Sequence, residues 1–316
     1  MPCPRRRVLE LFAGIGGVAA AWPEAEIVSA VDISLAAAAV YQHNFPHPYL
    51  IHAIESLPQQ ILQGLGADFW WLSPPCQPFT RRGHRRDLDD RRSGGLLRII
   101  DAIGACQPHS LGLENVIGFE GSQAQQRLSE QLTRCGYHVL SRTLCPTQMG
   151  WPNRRPRFYL LASRAPLLPW QPLPDLAMPL AELIDPCLVP QSAAAQQLML
   201  SEGDTSRYRS ALNRIESPLG DAVTACFASS YGKTLLHAGS YLRCGDGYRR
   251  FSPNEVARLL GFSERFNLED LSHRSGWKLL GNSLSLPAVR YLLSHLPVLD
   301  GPVADGAKSE ATSPRA

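Results

Sequence analysis

A cysteine set among prolines is the residue most able to form a covalent bond to a substrate. Cys76 lies in SPPCQPFTR, residues 73–81, directly after the apolar run DFWWL. Two prolines before the cysteine and one after it stiffen the backbone, and the arginine-rich stretch that follows would favour the thiolate, the nucleophilic form of a thiol. A lone cysteine is more often a small buried hydrophobic residue. Its surroundings favour the nucleophile here.

A carboxyl group and two arginines could assist such a nucleophile. Glu114, in LENV, ends the next apolar run, and a parallel sheet would bring it near Cys76 as an acid catalyst. The alternative is that Glu114 caps the following helix. Arg155 and Arg157, in NRRPRFY, alternate along a predicted strand and therefore share a face. Their forked donors suit a base carbonyl, a phosphate or a carboxylate, unless they only line a solvated strand edge.

A glycine-rich turn indicates a ligand site near the start of the chain. LELFAGIGG, residues 9–17, joins a predicted strand to a helix, where glycines let the backbone approach a ligand closely. This pattern alone fits NAD, flavin, a nucleotide or simple tight packing. Asp32 ends the next predicted strand and could accept both ribose hydroxyls of an adenosyl group, or it could be a helix N-cap.

The elements that must position these residues alternate between strand and helix. Apolar runs predict strands over 7–12, 26–31, 49–52, 68–72, 110–113, 137–143 and 158–162. Helical spacing predicts helices over 18–21, 35–43, 59–65, 94–105 and 122–135. This alternation is typical of an α/β fold with a doubly wound, mostly parallel sheet, in which ligands bind at the carboxyl ends of the strands.

The rest of the chain predicts a smaller domain and a return to the first one. Residues 166–190 are rich in proline, as in a linker, and a helix over 207–215 and short strands beyond 223 are expected next. SPNEVARLLGF predicts a capped helix with Ser252, Glu255 and Gly261 at its ends, and 284–296 a further helix. The predicted units are a catalytic and cofactor-binding domain (1–165), a linker with a small domain (166–250), a C-terminal return (251–296) and a disordered tail (297–316).

Composition excludes several classes of protein. The chain has 44% hydrophobic and 19% charged residues and a net charge of +3, which is typical of a folded globular protein. Its eight cysteines form no C-x-x-C pair, and prolines interrupt the spacing of His43, His47 and His52, so we expect free thiols and no metal. No apolar run approaches the ~20 residues of a membrane span. We expect a cytoplasmic monomer.

Taken together, these patterns resemble the cytosine-5 methyltransferase family over nearly the whole chain. The resemblance rests on FAGIGG, Asp32, PPCQPF, ENV, the paired arginines, RRFSPNEVARLLGF and LLGNS. It implies S-adenosyl-L-methionine as the cofactor and methylation of carbon 5 of a cytosine in nucleic acid through a covalent cysteine adduct. VYQHNFPH and CFASSYGKTLLHAGSYL resemble the branch that methylates cytosine 38 in the anticodon loop of tRNA, although that branch has Cys-Phe-Thr where this chain has CFA.

The resemblance implies roles for individual residues, with target recognition assigned to the small domain. The catalytic residues would be Cys76, Glu114, Arg155 and Arg157. The cofactor-binding residues would be Phe12, Ala13, Gly14, Gly16, Gly17, Asp32, Ile33, Ile54, Pro75, Asn282 and Ser283. The nucleic-acid-binding residues would be Gln77, Thr80, Arg81, Arg82, Arg85 and Asn115.

Three functions are compatible with these sequence patterns. A tRNA cytosine-5 methyltransferase is the leading hypothesis, with the basic stretch 81–92 contacting phosphates. A DNA cytosine-5 methyltransferase would use identical catalysis and could read a short site. A catalytically idle binding protein is the third, and the intact set of catalytic residues argues against it.

Overall fold

The computed structural model describes residues 5–80, 87–268 and 271–298. From residue 299 on, the predicted tail lies outside the described residues. The same is true of three arginines that were predicted to bind nucleic acid, namely Arg81, Arg82 and Arg85.

A seven-stranded sheet with the strand order β3-β2-β1-β4-β5-β7-β6 forms the centre of the molecule. The strands are β1 (Arg7–Leu11), β2 (Glu26–Asp32), β3 (Tyr49–Ile51), β4 (Phe69–Leu72), β5 (Ser110–Asn115), β6 (His138–Leu144) and β7 (Arg157–Ser163). Among these seven strands, β7 alone runs opposite to the other six, so its pairings with β5 and β6 are antiparallel. The predicted mostly parallel α/β sheet is confirmed.

Helices cover both faces of this sheet, as strands buried on both faces require. The helices are α1 (Gly17–Ala21), α2 (Leu35–Asn44), α3 (Gln59–Gly64), α4 (Gly94–Cys106), α5 (Gln123–Arg134), α6 (Ala193–Gln196), α7 (Glu202–Arg207), α8 (Pro253–Leu260), α9 (His273–Gly281) and α10 (Leu286–Leu293). Two apolar clusters result, one containing side chains of α1, α2 and α10 and the other those of α3, α4 and α5. The strand order reverses between β1 and β4, so the loops after these two strands lie side by side.

A second sheet of three strands lies in the region that was expected to form a small domain. It consists of β8 (Asn213–Ile215), β9 (Ser240–Cys244) and β10 (Gly247–Arg250), in the order β10-β9-β8. Buried side chains of this region, including Phe227 and Tyr241, belong to the same apolar cluster as α10. The small sheet therefore packs continuously with the main body.

The prediction of a helix over residues 207–215 is wrong. Helix α7 begins after its N-cap Ser201 and ends at Arg207, and residues 213–215 form β8. Ile215 is buried and pairs with Leu242 of β9, so pairing with a distant strand overrides the local helical pattern.

The C-terminal return is held by a buried ion pair. Helix α8 has the predicted capping box, formed by Ser252 and Glu255, and Gly261 ends it with a φ of 95°. Glu255 also pairs with Arg249 at 2.8 Å, and their side chains are 0% and 2% exposed. Either charge would be costly to bury without the other, so the pair holds the first turn of α8 against β10.

The described ranges contain neither a membrane-spanning helix nor a cluster of metal ligands. None of the helices there is long and apolar enough to cross a bilayer. Within the same ranges, no group of three or more metal-ligating side chains is arranged to hold an ion.

Candidate active site

Cys76 occupies the turn that follows β4. The amide of Phe79 donates to the carbonyl of Cys76 at 3.0 Å, and Asn115 Nδ2 donates to the carbonyl of Pro74 at 3.2 Å. A Cβ on Gly118 would lie 2.2 Å from the carbonyl oxygen of Phe79, so the loop after β5 packs directly on this turn. The turn is thus held on both sides, with the thiol half-buried between them.

The thiol of Cys76 is less acidic than the sequence predicted. Burial raises its pKa and outweighs the opposing charges of Arg157 and Arg155, while Glu114 raises it further. Arg92 lies in the basic stretch that was expected to favour the thiolate. It is 2.7 Å from Asp90, and the negative charge of that carboxylate offsets its positive charge. We therefore expect the thiol to be protonated in the free protein and to lose its proton when substrate binds.

Glu114 is the penultimate residue of β5, and its carboxyl group lies against an arginine. Its Oε1 lies 3.2 Å from Nε of Arg157, and the residue is 8% exposed. Burial raises the pKa of the carboxyl, and the charges of Arg157 and Arg155 oppose that shift. Ser122 provides the N-cap of α5, so Glu114 does not cap that helix. A buried carboxyl with a raised pKa is suited to donating a proton.

The two arginines differ in what they contact. Arg157 pairs with Glu114 and lines the cleft described below. Arg155 is 2% exposed and donates to the carbonyl oxygens of Phe227, Gly281 and Ser283. Arg157 is thus placed to act at the substrate, whereas Arg155 ties three chain segments together behind it. Neither belongs to a solvated strand edge.

The glycine turn lies beside this group because β1 neighbours β4. Gly14 has a φ of 53° and open space where a Cβ would be, whereas a Cβ on Gly16 would lie 2.5 Å from Cε2 of Phe45. Asp32 accepts from the amides of Gly14 at 3.0 Å and Ser34 at 2.9 Å. Ser34 itself caps α2, so Asp32 is not the N-cap.

Further residues of the predicted cofactor set surround this turn. Phe12 is half-buried with a φ of 57°, and its ring approaches Gly95. Ile33 is 67% exposed, so its apolar side chain is accessible to a ligand. From the end of the chain, Leu284 lies about 3.0 Å from where a Cβ on Gly17 would be, which brings the neighbouring Asn282 and Ser283 to the turn.

A cleft of about 800 Å³ opens beside Arg157, between the turn that follows Cys76 and the loop after β5. Its lining includes Phe79, Thr80, Ile117, Gly121, Arg157 and Cys226. Ile117 is 46% exposed there, so the cleft offers both an apolar surface and charged groups to a substrate.

Comparison with known proteins identifies the family. The model of the C-5 cytosine-specific DNA methylase family matches residues 6–217, about two thirds of the chain. The chain belongs to this family. The chain is 30% identical to a tRNA (cytosine(38)-C(5))-methyltransferase of Rattus norvegicus, covering 92% of this chain and 98% of that protein. It is 32% identical to the protein of the same name from Schizosaccharomyces pombe, covering 92% and 97%. The crystal structure of S. pombe Dnmt2 methyltransferase superimposes with a TM-score of 0.80 at 29% identity, covering 92% and 98%.

Two residues that were predicted to contact ligands have side chains buried against other parts of this cytosine methylase. Asn115 was expected to bind nucleic acid, but it is 1% exposed and both ends of its amide bond to backbone atoms of Pro74 and Val116. Ile54 was expected to bind the cofactor, but it is 4% exposed and packs in the cluster of α3 and α4. Both residues position their loops. Among the other predicted contacts, Pro75 is half-buried and Gln77 is exposed beside Cys76, and Ala13 is buried.

The sequence analysis missed two residues of the site. Cys226 Sγ lies 3.5 Å from Arg155 and 3.7 Å from Arg157, and although burial opposes it, these charges lower the pKa of the Cys226 thiol. Glu10 lies under the glycine turn and accepts from the amide of Val18 at 2.9 Å, and burial raises the pKa of its carboxyl to about 8. A glutamate within a predicted apolar strand was a usable signal for Glu10, and the match of CFA to the Cys-Phe-Thr of the tRNA branch was one for Cys226.

Proposed function

We propose that this chain transfers a methyl group from S-adenosyl-L-methionine to carbon 5 of a cytosine in the anticodon loop of a tRNA. The observation that carries the proposal is the pairing of Glu114 with Arg157 beside Cys76, at the carboxyl ends of neighbouring strands. A nucleophile, a proton donor and a positioned cation are the groups needed to activate a pyrimidine ring.

The residues around the glycine turn fit the proposed cofactor. The open space at Gly14 leaves room for close approach of a ligand. The Asp32 carboxylate accepts two amides and retains capacity for ribose hydroxyls, since a carboxylate accepts about four hydrogen bonds. Asn282 and Ser283 would close the same pocket. When bound, S-adenosyl-L-methionine supplies an electrophilic methyl group on a sulfonium.

The reaction follows from the proposed roles of the protein's own groups. The Cys76 sulfur, once deprotonated, adds to carbon 6 of the cytosine while Glu114 donates a proton to the ring nitrogen. Carbon 5 thereby gains the electron density that it lacks in free cytosine and can accept the methyl group. The carbon-5 proton then passes to water as the Cys76 thiolate is expelled, and the ring nitrogen returns its proton to Glu114, which restores both the cytosine ring and the carboxyl group. Arg157 holds the carboxyl of Glu114 in place throughout.

The region 166–250 is proposed to act as linker and target-recognition domain. It delivers Cys226 to the catalytic arginines, so its position bears directly on the site. The tRNA methyltransferases named above align along 92% of this chain, which includes this compact region. The target base must leave its stack, which costs less in a loop than in a duplex.

Methyl transfer tests this proposal directly. Purified protein with methyl-labelled S-adenosyl-L-methionine is given tRNA or duplex DNA, and the nucleosides are analysed. We expect label in 5-methylcytosine from tRNA. The Cys76→Ala variant should transfer none, whereas Cys187→Ala, which removes an exposed cysteine, should behave as the wild type. Label in DNA alone would favour a DNA methyltransferase, and label in neither substrate would refute methylation.

A further inference from the structure

Tyr159 lies next to the catalytic carboxyl on the central sheet. It is in β7, directly opposite Glu114 of β5 in the antiparallel register, and its residue is 0% exposed. Side chains of directly opposed residues leave the same face of a sheet, with their Cβ atoms roughly 4.5–5.5 Å apart. The phenol ring therefore stands beside the carboxyl group that would donate the proton.

The hydroxyl of Tyr159 is buried without a hydrogen-bond partner among the described residues. Other buried tyrosines satisfy theirs: Tyr231 donates to the carbonyl of Ser240, Tyr241 to that of Leu235 and Tyr137 to that of Pro108. An unsatisfied buried hydroxyl is costly, and phenylalanine would avoid that cost. A tyrosine at this position therefore calls for a functional reason.

The surroundings of Tyr159 supply one. Nε of Arg155 is also buried and without a partner among the described residues. Burial, together with the charge of Glu114, raises the pKa of the Tyr159 hydroxyl, so it remains a neutral donor at any working pH. A buried water commonly makes about three hydrogen bonds to such groups. Tyr159 interacts electrostatically with both Glu114 and Arg155, so these neighbours offer two donors and one carboxyl acceptor to such a water.

We propose that Tyr159 is a positioning residue whose hydroxyl, through a single buried water shared with Nε of Arg155, stabilises the Glu114 carboxylate. This inference rests on the proposed role of Glu114 as proton donor. The carboxylate forms when the proton moves to the cytosine ring, so a donor that favours the ionised form lowers the barrier. Arg157 supports Oε1 from the other side.

The pH dependence of the rate distinguishes this role from packing. At pH values at which Glu114 is protonated in the free enzyme, only the reacting state contains the carboxylate. The substitution Tyr159→Phe should therefore lower kcat/KM about tenfold there, which is the effect of one hydrogen bond to a charged group. Above the pKa of Glu114, both states contain the carboxylate and the difference should vanish. The other titratable or charged groups near Tyr159 and Glu114 are Arg142, Cys145, Arg155, Arg157, Cys76 and Cys226.

The experiment compares kcat/KM of the wild type and Tyr159→Phe between pH 5 and 9, with the thermal midpoint of each protein. Tyr137→Phe is the matched control, since its hydroxyl bonds to a backbone carbonyl away from the site. For Tyr159→Phe, we expect the ratio of wild-type to variant kcat/KM to decline towards one as the pH rises, with an unchanged or higher thermal midpoint. For Tyr137→Phe, the ratio should be close to one at every pH. Equal rates, or a loss that is the same at every pH, would overturn the proposal.

A second measurement does not depend on turnover. The infrared carboxyl band that disappears in Glu114→Gln reports the titration of Glu114 in the free protein. Its midpoint should move to higher pH in Tyr159→Phe, because the ionised form loses a donor. An unmoved midpoint refutes the link between the two residues, whereas a moved midpoint in a protein that methylates nothing refutes only the proposed function.

Discussion

Two glycines of the same turn should respond differently to an added methyl group. Gly16 has φ and ψ of 88° and 43°, and a Cβ there would lie 2.5 Å from Cε2 of Phe45 and 3.0 Å from Cδ2 of Tyr41. Phe45 has little freedom to move, since its ring stacks on His47 at 5.7 Å and contacts Tyr41 and Phe266. Gly16→Ala therefore adds steric overlap to backbone strain.

The magnitudes follow from these contacts. The left-handed conformation costs an alanine about 1–2 kcal/mol, and overpacking a filled site adds about 1–3 kcal/mol. Gly16→Ala should thus lower the free energy of unfolding by about 2–5 kcal/mol, a large share of the typical total of about 5–15 kcal/mol. Gly14 has a positive φ but nothing within 4 Å of a Cβ, so Gly14→Ala should cost only the strain.

Urea denaturation of the free protein measures both changes, provided that the dependence on urea concentration stays constant. The same variants can be titrated with S-adenosyl-L-methionine. Gly14→Ala should lose affinity for it with little loss of stability, because its methyl group enters the proposed pocket. Equal destabilisation by the two substitutions, or a larger effect for Gly14→Ala, would refute this description of the turn.

Three further substitutions or modifications test the electrostatics of the site. Because the pKa of Glu10 is raised to about 8 from 4.5, the folded state holds a proton that the unfolded chain releases, so stability should fall as pH rises between these values. Glu10→Gln should flatten that dependence of the thermal midpoint; an identical slope in both proteins would contradict the assignment. Glu114→Gln should slow methyl transfer about 10²–10⁴-fold with unchanged cofactor affinity, and an unaltered rate would remove it as the proton donor. Iodoacetamide at neutral pH should label Cys226 before Cys76 in peptide mapping, since the pKa of the first thiol is lowered and that of the second is raised; the reverse order would contradict this.

Local patterns predicted the central sheet and the loops that carry the chemistry. The apolar runs ending at Leu72 and Glu114 are strands β4 and β5, and parallel pairing brings their ends together as expected. Ser252 and Glu255 cap α8 as their spacing predicted. These features depend on residues close in sequence or on the general rules of parallel sheets.

Features set by distant contacts were not predictable. The pKa of Cys76 depends on how deeply its turn is buried, and neighbouring arginines in the sequence do not reveal this. Asn115 follows Glu114 and was expected at the substrate, yet its amide donates to the carbonyl of Pro74. Cys226 reaches the arginines from about 70 residues further along the chain.

One helix between α8 and α10 was also missed. Residues 273–281 form α9, capped by Ser272, although only their last part had been recognised as the LLGNS sequence. In the same half of the chain, the pairing of Ile215 with β9 replaced a predicted helix by a strand. Distant pairing decided the strand, which is the usual limit of local propensity, whereas the cap of α9 was readable from the sequence.

The covalent step through Cys76 is the central claim. The wild-type protein should form a complex that survives denaturation when it is incubated with S-adenosyl-L-methionine and tRNA containing 5-fluorocytosine. Elimination of the cysteine requires loss of a proton from carbon 5, and fluorine in its place cannot be removed, so the cysteine stays bound. Peptide mapping should locate the link at Cys76, and Cys76→Ala should form no complex. A failure to trap any complex with a tRNA whose unfluorinated form is methylated, or a complex that persists in Cys76→Ala, would contradict the account.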